Sequence, residues 1–128
     1  GRLCHQAGNQ AELRALAQQL GALAGLTANV TREAGARMAA GEVRLVLANA
    51  AHYMTLVGHL VIGWMWLWQA DVALRALPRA SDADRDFYQG KLQACRFFFA
   101  TELPIAEHAA RLVQQAEPSA FGMQDAWF

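Results

Sequence analysis

Residues 56–68 read LVGHLVIGWMWLW, thirteen consecutive positions with three tryptophans, two glycines, one histidine and no charge. The uncharged stretch runs from Tyr53 to Ala70. It constrains the fold more than any other part of the chain, because a segment this apolar has to lie in a membrane, at the centre of a core, or against a partner. Its eighteen residues are near the lower limit for crossing a bilayer. His59 and Gln69 inside the stretch, and flanking segments that are amphipathic with ordinary surface charge, argue against a span. A core helix accounts for most of it. In a bundle of three helices, however, every member keeps a solvent face, and residues 54–68 offer little that is suited to water. The segment therefore predicts a covering body outside the bundle, either a symmetry mate or another domain of the same polypeptide.

The rest of the chain is helical in pattern. From Gln10 onward, Leu13, Leu16, Leu20, Leu23, Thr27, Val30, Ala34 and Met38 recur at spacings of three and four, one apolar stripe along a helix. Asn9 with Glu12 three positions later predicts a capping box at its start, with residues 1–9 as a boundary segment, and Gly41 predicts its end. Gly21, Gly25 and Gly35 lie inside, each costing about 1 kcal/mol relative to Ala, so a break near Gly25 would make a fourth helix. Gly21 and Gly25 also form a GxxxG, which predicts close helix approach there. A second run extends from Glu42 to Leu77, ahead of Pro78. One side carries Val43, Leu47, Ala50, Met54, Val57, Val61, Trp64 and Trp68. The least apolar stripe, His52, Thr55, His59, Ile62 and Trp66, holds the interface candidates. A third run follows PRAS, capped by Ser81 or Asp82, with Phe87, Tyr88, Leu92, Cys95, Phe98, Phe99 and Leu103 on its apolar face and a kink at Pro104. The tail (residues 117–128, ending in SAFGMQDAWF) holds three aromatics and is expected to pack back on the bundle. The fold class is all-α: one domain over residues 1–128, an elongated antiparallel bundle of three long helices.

Composition excludes several functions. Eleven basic residues balance eleven acidic ones without a block of either sign, which removes the electrostatic footprint of a nucleic-acid binder. Cys4 and Cys95 are far apart and make no CxxC pair; Cys95 reads as a small core residue, and a reducing cytoplasm is the expected setting. No glutamate has a histidine three positions on, as helical di-metal centres require, and no HExxH, P-loop, GxSxG or GxGxxG is present. No catalytic, cofactor-binding or metal-ligating residue is therefore assigned. His52 and His59 share a helix face without a third ligand, so hydrogen bonding at an interface is the expectation for both. Lys91, the single lysine, and Arg96 are expected to pair with Asp71 or Glu102.

Gly58, Gly63 and Trp64, followed by Phe87, Tyr88, Lys91, Leu92, Arg96 and Phe97 and closed by Leu103 and Pro104, resemble the C-terminal domain of the longer FAD-dependent acyl-CoA dehydrogenases, the type similar to 3-(methylthio)propanoyl-CoA dehydrogenase. The likeness extends from about Ala11 to Ala116, and FY-x-x-K-L-x-x-x-RFF is its most specific part; the family usually has Ala where Cys95 stands. The resemblance implies a non-catalytic C-terminal piece of a larger enzyme. That agrees with the abrupt opening on GRLCHQAGNQ. FAD, the acyl-CoA site and the catalytic carboxylate would lie in preceding domains, and this segment would pack on the dehydrogenase core and help form a homodimer. A free-standing helical adaptor, docking a protein or lipid through its apolar second helix, is the alternative reading of the same residues.

Overall fold

The apolar segment forms α3 (Ala50–Ala76), which lies at the centre of the molecule and packs on every other long helix. The computed structural model describes residues 2–128, with side chains from His5 onward, so Cys4 lies outside the described side chains. Three helical runs make the bundle: α1 (Arg2–Ala39), then α2 (Val43–Ala48) with α3, then α4 (Asp82–Phe97) continuing through a π turn (Phe98–Glu102) into α5 (Leu103–Gln115). No strand occurs among the described residues, and the all-α bundle expected from periodicity is the observed fold.

α1 is one unbroken helix of 38 residues, roughly 57 Å long at 1.5 Å per residue. Its inward residues Leu20, Leu23, Thr27 and Val30 are buried, as the stripe predicted, while Met38 at the stripe's end is exposed. Two expectations fail here. The helix does not begin at a capping box, because Asn9 and Glu12 lie within it and spend their side chains on Arg96 of α4. Nor does the GxxxG mark a close approach, since Gly21, Gly25 and Gly35 all face open space; the single long helix is the one expected, and the alternative break near Gly25 does not occur. Gly41 does end the helix, at φ +91°, with the Glu42 N–H donating to Arg37 O at 2.9 Å and its own N–H to Met38 O at 3.1 Å.

The second run is interrupted at Asn49, which sequence periodicity did not foresee. Asn49 is buried, and its Nδ2 donates to Leu45 O at 3.1 Å and to Glu117 O at 3.0 Å. A side-chain amide that satisfies backbone carbonyls competes with the helical ladder, and here it ties the α2–α3 joint to the end of α5. Beyond that joint α3 turns Leu56, Gly63, Ala70, Ala73 and Leu74 inward. These are mostly small, and α5 answers with Ala106, Ala109 and Ala110, so the two helices approach closely.

Ser81 caps α4, its Oγ accepting from the Asp84 N–H at 3.3 Å. The disturbance expected at Pro104 takes the form of the π turn. Proline has no N–H for the carbonyl four residues back, and the widened turn lets the Leu103 N–H reach Phe98 O instead. Both Phe98 and Phe99 point inward as a result, edge to face at 6.0 Å. Phe87, expected on the apolar inner face, is instead exposed. In the tail, α6 (Ser119–Gly122) rests near α2, where the Arg44 guanidinium lies 4.9 Å from the Phe121 ring centre, whereas Trp127 and Phe128 are exposed.

Among the described residues Gly63 is the one glycine that packing demands: a Cβ there would lie 2.9 Å from Leu20 Cδ1 and 3.4 Å from Phe98 Cε1. Gly63→Ala is expected to destabilise by about 1 kcal/mol, an overpacking cost of about 1–3 kcal/mol partly offset by helix propensity. Gly25→Ala, with nothing nearby, is expected to stabilise by up to about 1 kcal/mol. Urea unfolding of the two variants checks the contrast, and equal shifts would contradict the assigned close approach.

Candidate functional site

With its small residues turned inward, α3 leaves its large ones outside. Met54, Val61, Trp64, Trp68 and Val72 follow one another at helical spacing and are 66, 52, 55, 56 and 53 % exposed. The Trp64 and Trp68 rings lie 5.5 Å apart and tilted, one turn from each other. Beside them, a groove of about 930 Å³ runs between α3 and α1, with Leu13, Trp64, Leu67 and Trp68 as apolar lining and Gln10 and Arg14 on its α1 side. A contiguous apolar face of this kind is the mark of an interface.

The interface candidates from sequence distribute unevenly around this face. Ile62 is exposed at 47 %; His52 and Thr55 are half-buried, and Thr55 Oγ1 donates to Ala51 O. His59 turns toward the π turn, with Nδ1 2.8 Å from Thr55 O, Nε2 3.4 Å from Glu102 Oε2 and its ring 6.0 Å from that of Phe98. Trp66 is half-buried against the core. Trp68, Met54 and Val61 were on a side that sequence identified as apolar without singling it out. The available signal was the opposite face: Gly63, Ala70 and Ala73 mark where neighbouring helices come close, and so mark the outward direction by exclusion.

Lys91 and Arg96 have partners other than the expected Asp71 and Glu102. Asp71 pairs with Arg75 on its own helix at 3.1 Å, and Glu102 faces His59. The Lys91 ammonium sits 5.3 Å from the Phe87 ring centre and 5.8 Å from that of Trp66, at a small cleft of about 350 Å³ with Trp68, Val72 and Tyr88. Arg96 reaches across to α1: Nε donates to Glu12 Oε1 at 2.6 Å and Nη2 to Asn9 Oδ1 at 3.2 Å, while Nη1 donates to Gln93 Oε1. Among the other residues of the resemblance, Gly58 faces open space, Phe97 is exposed, Tyr88 stands edge-on to Phe87, and Pro104 follows the π turn.

Cys95 is buried beside Arg96, and burial pushes its thiol up to about 11. Among the described residues no three His, Cys, Asp or Glu side chains gather as a metal site, and no helix is long and apolar enough to cross a membrane.

The family described as "Acetyl-CoA dehydrogenase C-terminal like" matches residues 2–124, and the chain belongs to it. A curated relative, the broad-specificity linear acyl-CoA dehydrogenase FadE5 of Mycobacterium tuberculosis, is 30 % identical over 81 residues, covering 62 % of this chain and 13 % of that protein. The match thus spans a small fraction of the relative's length. No solved structure matches significantly.

Two outcomes test these assignments. With cation–aromatic contacts only, Lys91→Met is expected to cost less than about 1 kcal/mol, and its effect should add to that of Asp71→Asn in thermal melts; strong non-additivity would reveal a Lys91–Asp71 pair. For Cys95, the unfolded thiol releases its proton near 9.0 and the folded one near 11, so stability is intact below about pH 9 and declines through that window. Relative to Cys95→Ala, wild type should lose about 1 kcal/mol more between about pH 8 and about pH 10 in urea unfolding.

Proposed function

We propose that this chain is a non-catalytic C-terminal domain of an FAD-dependent acyl-CoA dehydrogenase, which seats the uncovered face of α3 against the rest of its parent polypeptide and contributes to a homodimer. The observation that carries the proposal is the exposed stripe of Met54, Val61, Trp64, Trp68 and Val72 on a chain belonging to a dehydrogenase C-terminal family. The parent reaction is the α,β-dehydrogenation of an acyl-CoA, in a cytoplasmic enzyme.

The described residues do not fit a flavin. The α1–α3 groove lies open along the surface, its cations are Arg14 and Arg75, and Arg75 is held by Asp71. Among the described residues no helix starts on the glycine-rich turn that cradles a pyrophosphate. This supports placing FAD, the acyl-CoA pocket and the catalytic carboxylate in the preceding domains, with acyl-CoA reaching this chain through the parent alone.

The purified chain is expected to carry no flavin absorbance and to reduce no electron acceptor with an acyl-CoA; flavin retained by the chain alone would overturn the reading. In the parent protein, Trp64→Glu with Trp68→Glu is expected to loosen domain docking and dimerisation, read by sedimentation velocity, while the circular dichroism of the chain itself stays helical. Unchanged sedimentation of the parent would contradict the interface assignment.

A further inference from the structure

At the end of the bundle where α1 begins and α3 hands over to α4, a pocket of about 430 Å³ adjoins the α1–α3 groove, sharing Gln6 and Leu74 with it. Its apolar side is built by Leu74, Leu77 and Pro78, and its polar groups are His5, Gln6, Asn9, Arg85 and Gln89. Arg85 stands out chemically. Its Nε is buried and has no hydrogen-bond partner, and among the described residues Arg85 forms no ion pair, although Asp82 lies one turn before it and Asp86 beside it. A buried guanidinium N–H without an acceptor costs on the order of 1–3 kcal/mol; that atom has no accessible surface, so a ligand in the pocket meets Arg85 through the outer N–H groups of its guanidinium. Asn9 also lines the pocket, and because its Oδ1 accepts from Arg96 its Nδ2 remains able to donate. Gln89, one helical turn after Arg85, supplies a further amide.

We propose that this pocket binds an organic carboxylate, the oxygens held by the Arg85 guanidinium with amide support from Asn9 and Gln89, and the carbon body lying on Leu74 and Leu77. A single guanidinium fork matches a carboxylate in a paired, planar arrangement. One formal cation, neutral amides and an apolar side suit a monoanion with a carbon tail better than a hydrated dianion such as phosphate.

The test is calorimetric titration of the chain at low salt with hexanoate, acetate and inorganic phosphate. Hexanoate is expected to bind saturably and tighter than acetate, and Arg85→Gln to weaken it at least tenfold, while Arg79→Gln, on the exposed turn outside the pocket, leaves it unchanged. No saturable hexanoate binding, equal binding by Arg85→Gln, or phosphate binding as tight as hexanoate would each overturn the proposal. Should Arg85→Gln fail to fold, side-chain amide resonances of Asn9 and Gln89 in the wild-type chain decide the matter. Hexanoate must shift both, and shifts confined to other residues refute the site.

Discussion

The architecture depends on a division of labour around one helix. α3 is apolar on all sides, and small residues, Gly63, Ala70 and Ala73, are turned toward its neighbours. Small side chains let backbones approach, so α1, α4 and α5 close on α3 with little room to spare; at Gly63, Leu20 already occupies the space a methyl group would need. The same choice leaves Trp64 and Trp68 no place inside. A helix packed this way has its bulky residues on the side that its own chain does not cover, and an exposed apolar face follows from the packing without any dedicated loop or motif.

Polar side chains then fix how the other helices meet the bundle. Arg96 joins α4 to α1 through Glu12 and Asn9, and Asn49 joins the α2–α3 joint to the segment just after α5 through Glu117 O. The π turn before Pro104 is a third such device, absorbing the missing N–H and delivering two consecutive phenylalanines to the core. Whereas the π turn closes on its own backbone through the Leu103 N–H and Phe98 O, Arg96 and Asn49 reach partners distant in sequence.

That distance also sets what could be read in advance. The three helical runs, the Ser81 cap, the Gly41 stop, the disturbance at Pro104 and the buried Cys95 all follow from spacing or from the chemistry of a single residue. Asn49 does not, because its break becomes favourable only when Glu117, sixty-eight positions away, supplies an acceptor. Asn9 and Glu12 have the pattern of a capping box, yet Arg96, eighty-four residues beyond Glu12, draws both into a tertiary tether and the helix runs on through them. For the face of α3, periodicity established that the helix is apolar all round, and a helix without an amphipathic pattern carries little directional information. The direction comes from side-chain size, with glycine and alanine inward and tryptophan outward.

The central claim, that the Trp64–Trp68 face is covered in the working protein by something other than this chain, is tested most directly by hydroxyl-radical footprinting of the tryptophans. Trp66, half-buried within the chain itself, serves as the internal reference. The account predicts strong oxidation of Trp64 and Trp68 in the isolated chain and their protection in the parent protein, with Trp66 changing little. Equal oxidation of Trp64 and Trp68 in both settings would contradict it.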